Sequence, residues 1–229
     1  MKTTLAITIL AGFAATSALA NGHHQHIPKF EDRTKRAYGS INAGVTSLDD
    51  TNFNAAPGVN VETDYDEGYV VTGEVGYNVG KFFFIDNVKL GIELGYGENE
   101  VDGHSANGVG LAGSDGDLEV GTLMANMYHE YNTGTRFVPY YGLGVGLARI
   151  DADNFRTSGG TALDDDETAF AYQGNVGVNY MLTSSSDIGA RYRYTATEGA
   201  ELRGEGLGAS SEDFDYENHA FTVNYTHNF

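Results

Sequence analysis

From about residue 37 to the carboxyl terminus, apolar and polar residues alternate in short stretches of the chain. The clearest stretch is the last one, AFTVNYTHNF, in which every second residue is aromatic, apolar or histidine and the residues between them are small and polar. A period of two is that of a β-strand whose two faces meet different surroundings. The alternation therefore predicts a chain built mainly of β-strands.

Eight such stretches can be traced, and one face of each is largely apolar or aromatic, whereas the other is small or polar. Each stretch is about as long as a tilted strand needs to cross ~25 Å of hydrocarbon. The predicted lipid-facing residues, strand by strand, are Gly39, Ile41, Ala43 and Val45; Tyr69, Val71, Gly73, Val75, Tyr77 and Val79; Val88, Leu90, Ile92, Leu94 and Tyr96; Leu123, Ala125, Met127, His129 and Tyr131; Phe137, Pro139, Tyr141, Leu143, Val145 and Leu147; Phe170, Tyr172, Gly174, Val176, Val178 and Tyr180; Ile188, Ala190, Tyr192 and Tyr194; and His219, Phe221, Val223, Tyr225, His227 and Phe229.

The fourth stretch is the one whose phase is ambiguous. With Asn126 and Glu130 inside the barrel, Met124 and Tyr128 must also point inward. We prefer this phase because a glutamate in contact with lipid costs more than a methionine in the interior.

The connections between the stretches are alternately short and long. Those after the second, fourth and sixth are the turns GKFFFIDN, NTGTR and LTSSSD, whereas the other four run to about twenty mainly polar residues. In an up-and-down barrel this places four long loops at one end and both termini at the other. The alternation also fits a secreted sandwich or a lipocalin-like barrel. The terminal Phe229 and four loops of that length favour an eight-stranded antiparallel transmembrane barrel.

The beginning of the chain has a different character. Residues 1–20 combine Lys2, an apolar core and the sequence Ala-Leu-Ala, which is the pattern of a cleaved signal peptide. Residues 21–36 are polar and show no periodicity, so we interpret them as a periplasmic tail. Residues 37–229 then form the barrel domain.

Two parts of the barrel sequence resemble a known family. The stretch TLMANMYHEYNTGTRFVPYYGLGVGLARI and the terminal strand are similar to the opacity-protein and outer-membrane-protein-A-like small porins. The resemblance implies an exported outer-membrane barrel in contact with lipid and lipopolysaccharide, whose surface loops vary in function. It also implies that the terminal strand is an insertion signature for the outer-membrane assembly machinery, carried by Phe221, Val223, Tyr225 and Phe229.

Composition narrows the classes of partner. The chain has 13 basic and 32 acidic residues, a formal net charge of −19, and no cysteine. Such a charge repels nucleic acid phosphates unless basic residues cluster, and they do not. Without cysteine, neither a disulfide framework nor a thiolate metal site can form.

Six charged residues are predicted to point into the barrel. Eight strands leave an interior just wide enough for side chains to fill, so buried charges must pair or stay hydrated. We expect either a structural plug of ion pairs or a narrow gated ion path, with Lys89 close to Glu130 and the two arginines at the depth of the other two glutamates. The residues are Glu74, Lys89, Glu93, Glu130, Arg191 and Arg193.

The long loops carry 25 of the 32 acidic residues. Solvated charge that keeps the loops extended is the simplest interpretation. Carboxylate oxygens also suit Ca²⁺ or Mg²⁺, and such ions would relieve repulsion by anionic lipopolysaccharide. A basic host or phage surface ligand is a further candidate partner. The residues considered for cations are Asp151, Asp153, Asp164, Asp165 and Asp166. Apart from such ions, no cofactor is predicted.

A second candidate metal site depends on signal cleavage after Ala20. Cleavage would expose Asn21-Gly22-His23, a free amine with histidine at the third position, followed by His24 and His26. An amine, deprotonated amides and an imidazole can hold Cu²⁺ or Ni²⁺ in a square plane. A polar histidine-rich tail without metal is the alternative.

Catalysis receives little support from the sequence. His129, His219 and His227 fall on the outward face, but the sequence suggests no serine or threonine beside them for a lipid-hydrolysing pair. The leading hypothesis is a non-enzymatic outer-membrane protein that presents its loops for adhesion or supports envelope integrity. A low-conductance porin and a lipid A or phospholipid modifying enzyme are the alternatives.

Overall fold

The computed structural model describes residues 30–34, 36–48, 51–56, 59–65, 68–106, 109–111, 117–156, 162–198, 200–202, 212–214 and 216–229. These residues contain one short 3-10 helix and strands β1 to β13, and no described helix is long and apolar enough to cross a membrane. In chain order the elements are the helix Phe30–Arg33, β1 Ala37–Leu48, β2 Thr51–Ala56, β3 Val59–Tyr65, β4 Gly68–Phe82, β5 Ile85–Ala106, β6 Val109–Leu111, β7 Asp117–Glu130, β8 Phe137–Arg156, β9 Ala162–Met181, β10 Ser186–Glu198, β11 Ala200–Leu202, β12 Glu212–Phe214 and β13 Glu217–Asn228.

Eight of these strands form a closed antiparallel barrel. Each pairs with the next in the order β1, β4, β5, β7, β8, β9, β10 and β13, and β13 returns to pair with β1. At this seam Ile41 lies opposite Tyr225, and the Phe229 amide donates to the Ala37 carbonyl at 2.9 Å. Closure gives every barrel strand two neighbours, so no unpaired edge remains. The eight-stranded up-and-down barrel predicted from the sequence is confirmed.

The long connections contain more β-structure than the sequence predicted. Strands β8 and β9 remain paired up to Arg156 and Ala162, and β3 pairs with the far end of β5. Strands β2 and β3 pair within the first connection, and β11 and β12 pair within the last. These segments were predicted only as long loops, and part of each is β-strand. Strands that are already paired in the barrel can stay paired beyond it, because the hydrogen bonds of a β-ladder join backbone groups and do not depend on the side chains.

The predicted inside and outside faces agree with the burial of the side chains. On β8, exposed apolar or aromatic residues recur from Phe137 to Leu147, and the next outward residue is the exposed Arg149. These ten or so residue steps cover roughly 33 Å of strand, or roughly 25 Å of height at a tilt of ~40°. The apolar band therefore has the height of a bilayer's hydrocarbon core.

Two details of the face assignment follow from neighbouring strands. Met124 and Tyr128 are buried inside the barrel, as the chosen phase of the fourth predicted strand requires. Val88 was predicted to face lipid but is only 1% exposed. It lies opposite His129 of β7 and beside a bulge at Gly80 of β4, so its neighbours at this end of the barrel cover it.

Candidate functional site

The middle of the barrel interior is crossed by a layer of buried charge. Arg193 Nη2 lies 2.6 Å and Arg191 Nη1 lies 3.3 Å from the same oxygen of Glu93, Oε2. Thr72 Oγ1 also donates to this oxygen at 3.1 Å, and Gln173 Nε2 donates to Oε1 at 3.4 Å. Both arginines come from alternate inward positions of β10, whereas Glu93 comes from β5 on another part of the wall. One carboxylate therefore joins two strands that are not neighbours.

Glu74 is held in a different way. Its carboxylate accepts hydrogen bonds from Tyr38 at 2.7 Å, Asn126 at 2.8 Å and Tyr128 at 2.7 Å, all buried. These three donors are neutral. Glu74 lies directly opposite Glu93 on the neighbouring strand, but its hydrogen-bond donors are the phenol and amide groups of β1 and β7.

The remaining predicted pair lies nearer the end that carries the termini. Lys89 Nζ is 2.7 Å from Glu130 Oε1, and both side chains are buried. The ammonium group also lies 5.0 Å from the centroid of the Tyr38 ring. A buried charge requires such a partner, since an unpaired one costs several kcal/mol.

An ion pair that the sequence did not suggest closes the same end. Arg33, from the short 3-10 helix, pairs with Asp187 of β10, and both side chains are fully buried. Phe30 of the same helix packs against Val138 and Met181, whose side chains lie inside the rim. Residues 30–33 are therefore part of the closed barrel end, although they were predicted to belong to a polar tail. Four residues are too few to show a periodicity, so no sequence signal marked them.

Asp187→Ala should release this helix from the barrel. Arg33 would be left buried without its carboxylate, which costs about 3–5 kcal/mol unless the segment moves into water. We expect trypsin to cut the folded variant after Arg33 and to leave the parent intact there, as mass spectrometry of the barrel fragment would show. Asp86→Ala, which removes an exposed acid in the nearest turn, is the control and should leave the site protected. Protection of Arg33 in both variants would contradict the proposed role of the ion pair.

Glycines of β8 make room for side chains of the adjacent strand β7. A Cβ added at Gly142 would collide with the Tyr128 ring, and one added at Gly144 would collide with the Asn126 amide. These glycines therefore accommodate the aromatic and amide groups that hold Glu74.

Little free space remains in the interior. The cavity on the terminal side of the Glu93 layer, lined by Glu74, Lys89 and Tyr140, leaves about 20 Å³ to a water-sized sphere. The cavity on the other side, lined by Gln173, Arg193 and others, leaves about 30 Å³. Each has room for about one or two water molecules. The charged layer thus lies between two small cavities and holds the barrel walls together.

The family of the chain follows from comparison with known proteins. A family model described as "Outer membrane protein beta-barrel domain" matches residues 6–229. The chain belongs to this family. It is also 32% identical over 77 residues to the outer membrane protein PagN of Salmonella typhimurium, an alignment that covers 32% of this chain and 32% of PagN.

Solved structures of this barrel type are similar in fold. Neisserial surface protein A (NspA) aligns with a TM-score of 0.52 and 16% identity over 84% of this chain and 97% of its own. OprG of Pseudomonas aeruginosa aligns with a TM-score of 0.52 and 17% identity over 85% of this chain and 98% of its own. The family places the protein in the outer membrane. Its short turns, the helix Phe30–Arg33 and Phe229 then lie at the periplasmic end, with the long connections outside.

The family places the apolar band in lipid, and the terminal strand lies within that band. Its predicted signature residues all point outward and are exposed on the barrel wall: Phe221, Val223, Tyr225 and Phe229. The ring of Phe229 contacts that of His227 at 5.1 Å between centroids. Recognition of this strand by the assembly machinery stays a prediction.

One histidine has a neighbour that the sequence analysis missed. Ser186 Oγ lies 3.1 Å from His227 Nδ1 and 3.1 Å from the Tyr225 hydroxyl. The prediction that no serine or threonine lies beside an outward-facing histidine was therefore wrong for His227. The cross-strand register of β10 and β13 pairs Ser186 directly with His227, which residue spacing along the chain could not show. Among the described residues, no carboxylate forms a salt bridge or hydrogen bond with His227. The Ser186–His227 contact therefore ties two strands together without the third member of a hydrolytic triad.

The acidic residues of the outer hairpins share rows of the sheet. Glu98, Glu119, Asp151 and Asp166 follow one another across β5, β7, β8 and β9. Arg149 Nε lies 3.3 Å from Asp151 Oδ2 and offsets part of this charge.

Of the two sets of predicted metal ligands, one lies in the described part of the chain and the other does not. Asp151, Asp153, Asp164, Asp165 and Asp166 belong to β8 and β9, whereas His23, His24 and His26 lie outside the described residues. Among the described residues, no group of three or more histidines or acids is placed to hold a metal ion. Divalent cation binding therefore stays a prediction that calorimetry with Ca²⁺ and Mg²⁺ would test.

Proposed function

We propose that this outer-membrane protein is a non-enzymatic display scaffold whose extended outer hairpins serve adhesion or envelope integrity. The observation that carries the proposal is the length of the barrel strands beyond the apolar band. On β8, the outward stripe of apolar residues ends at Leu147, yet the strand continues to Arg156 and stays paired with β9, with one register shift between Ala152 and Phe155. These nine or so further residues rise roughly 20 Å above the hydrocarbon boundary at a tilt of ~40°.

The barrel interior supports the same proposal. A protein that only displays hairpins needs a rigid base, and the Glu93 layer supplies one by joining β5 to β10 through two arginines. The small cavities on either side of this layer have no space for a substrate of any size. The acidic rows on the hairpins suit a basic partner on another surface, because opposite charges steer encounters between surfaces.

Shortening the hairpin of β8 and β9 tests the proposal. Replacing residues 153–164 by Asn-Gly would join Ala152 to Asp165, which already lie opposite each other, through a two-residue turn. We expect the variant to fold and insert, since every strand pair within the apolar band remains, but to reduce attachment of cells to host cells or their resistance to detergent. Gel mobility with and without heating would confirm that the barrel has folded.

A control of unchanged length separates charge from reach. The triple variant Asp164→Asn, Asp165→Asn and Asp166→Asn keeps the hairpin but removes three charges. Loss of attachment in both variants would indicate a basic partner, and loss only in the shortened variant would indicate that reach is what matters. If neither variant alters attachment or detergent resistance while both are folded, display by this hairpin is not the function.

A low-conductance channel is the second candidate, and the paired cavities favour it. The Glu93 layer is all that separates the two cavities in the middle of the lumen. Arg191→Ala together with Arg193→Ala should therefore raise the single-channel conductance in a planar bilayer above that of the parent. If a folded double variant remains as silent as the parent, the layer does not gate a path.

A further inference from the structure

The periplasmic turn between β4 and β5 exposes a cluster of phenylalanines that no feature of the barrel explains. Phe83 is 81% and Phe84 is 87% exposed, and Phe82 beside them is also exposed. The rings of Phe82 and Phe83 contact each other edge to face, with centroids 4.7 Å apart. Each ring buries about 150–250 Å² of surface when covered. So large an apolar surface at one hairpin tip indicates a surface that something covers.

We propose that this tip, residues 81–86, inserts into the headgroup region of the inner leaflet of the outer membrane and anchors the barrel there. The partner is a phospholipid surface. This role is independent of the outer hairpins and of conduction through the lumen.

The backbone at the tip departs from regular strand pairing. Phe82 lies opposite Ile85, but the register shifts on both sides of Gly80. Gly80, Phe83 and Asn87 adopt left-handed backbone conformations, with φ of 73°, 54° and 57°. The hairpin is therefore bent here, and the rings of Phe83 and Phe84 are left more than four-fifths exposed.

Depth can be counted from the outer boundary of the apolar band. On β5 the last outward aromatic residue is Tyr96 and the next outward residue is Glu98, so the boundary lies between them. A hydrocarbon core of ~25 Å corresponds to about ten residues of a strand tilted by ~40°. Ten residues back from Tyr96 is Asp86, and the phenylalanine tip follows directly. The tip therefore lies at the inner hydrocarbon boundary and not in bulk periplasm.

The other side of the hairpin is charged. Lys81 Nζ lies 3.6 Å from Asp86 Oδ1, and both side chains are more than half exposed. Because successive residues alternate sides, this pair points away from Phe82 and Ile85. An amphipathic tip of this kind suits a membrane interface, where aromatic rings meet the acyl chains and a lysine meets lipid phosphates.

A lipid partner fits better than a protein partner because the exposed rings lie at the depth of an existing lipid contact. Other exposed aromatic residues occupy the same end of the barrel wall, among them Tyr131, Phe137 and Phe229. In this family the wall they belong to faces lipid. The phenylalanine tip lies at the same end and depth as these residues, next to the lipid that covers them.

The absence of tryptophan from the chain makes a direct test available. Phe84→Trp would place a single fluorescent reporter at the tip of the folded protein in phosphatidylethanolamine and phosphatidylglycerol vesicles. We expect blue-shifted emission that is quenched most strongly by lipids brominated close to the glycerol backbone. Ser184→Trp, at the exposed tip of the turn between β9 and β10, is the matched control and should be quenched less by the same lipids.

Three results would overturn the proposal. Emission like that of tryptophan in water, with strong quenching by iodide and none by brominated lipid, would leave the tip in the periplasm. Quenching strongest by bromine near the acyl chain ends would place it in the bilayer core. If the tryptophan of Phe84→Trp is protected from iodide, but this protection disappears when the protein is diluted into more lipid, the partner is a second copy of the chain.

Discussion

Glu93→Ala is expected to destabilise the folded barrel by about 3–5 kcal/mol. Removal of this carboxylate leaves the buried guanidinium groups of Arg191 and Arg193 without the acid that both contact. These two like charges, from alternate residues of one strand, would then lie side by side in a narrow interior with little room for water. The measurement is the free energy of unfolding in urea at equilibrium between folded barrel in vesicles and unfolded chain, followed by the heat-dependent gel mobility.

Two controls define what this result means. Glu217→Ala removes an exposed glutamate of β13 and should change the free energy of unfolding by no more than about 0.5 kcal/mol. Replacing Glu93, Arg191 and Arg193 together by leucine or methionine should recover much of the loss, because apolar residues of similar volume often replace a buried ion triad without cost. If Glu93→Ala proves as mild as Glu217→Ala, the charged layer is not what supports the walls.

Val176→Arg is expected to cost about 2–4 kcal/mol. Val176 points outward near the middle of the apolar band and is exposed on the barrel wall. An arginine there must lose hydration in the hydrocarbon or bend toward an interface, and either change weakens the folded state. The free energy of unfolding in vesicles, measured as above, checks this expectation.

The matched control for this prediction lies outside the apolar band. Ser47 is an exposed outward residue of β1 that follows the apolar positions ending at Val45, so Ser47→Arg should cost only about 0–1 kcal/mol. Val176→Leu, which keeps the position apolar, should be nearly neutral. Equal tolerance of arginine at both sites would show that the wall does not face lipid where the band places it.

The inside and outside of each barrel strand could be predicted from the sequence because they follow from neighbouring residues alone. The alternation around Gln173 and Asn175 predicts which side chains enter the barrel, and both are buried there. Strand length was predicted less well. Beyond Leu147 the apolar residues occupy the inner face, where Ala148 and Ile150 are buried, so the lipid-facing stripe did not indicate that β8 continues to Arg156.

The partners of the buried charges could not be predicted in the same way. Glu74 and Glu93 lie opposite each other on adjacent strands, yet one accepts hydrogen bonds from tyrosines and an asparagine and the other receives both arginines. Their surroundings differ because the tilt of the strands decides which side chains from other parts of the barrel wall lie near each glutamate. That tilt is a property of the closed barrel and not of any strand.

By itself, the sequence determined the strands, their two faces, the closed eight-stranded architecture and the presence of charge inside. These features depend on a pattern of neighbouring residues, which is present in the sequence whatever the fold. Only the tertiary structure decided that Arg33 would pair with Asp187, that Ser186 would lie beside His227, and that Glu93 would join both arginines. Each of these contacts joins residues from distant parts of the chain, and only closure of the barrel in one register brings them within reach.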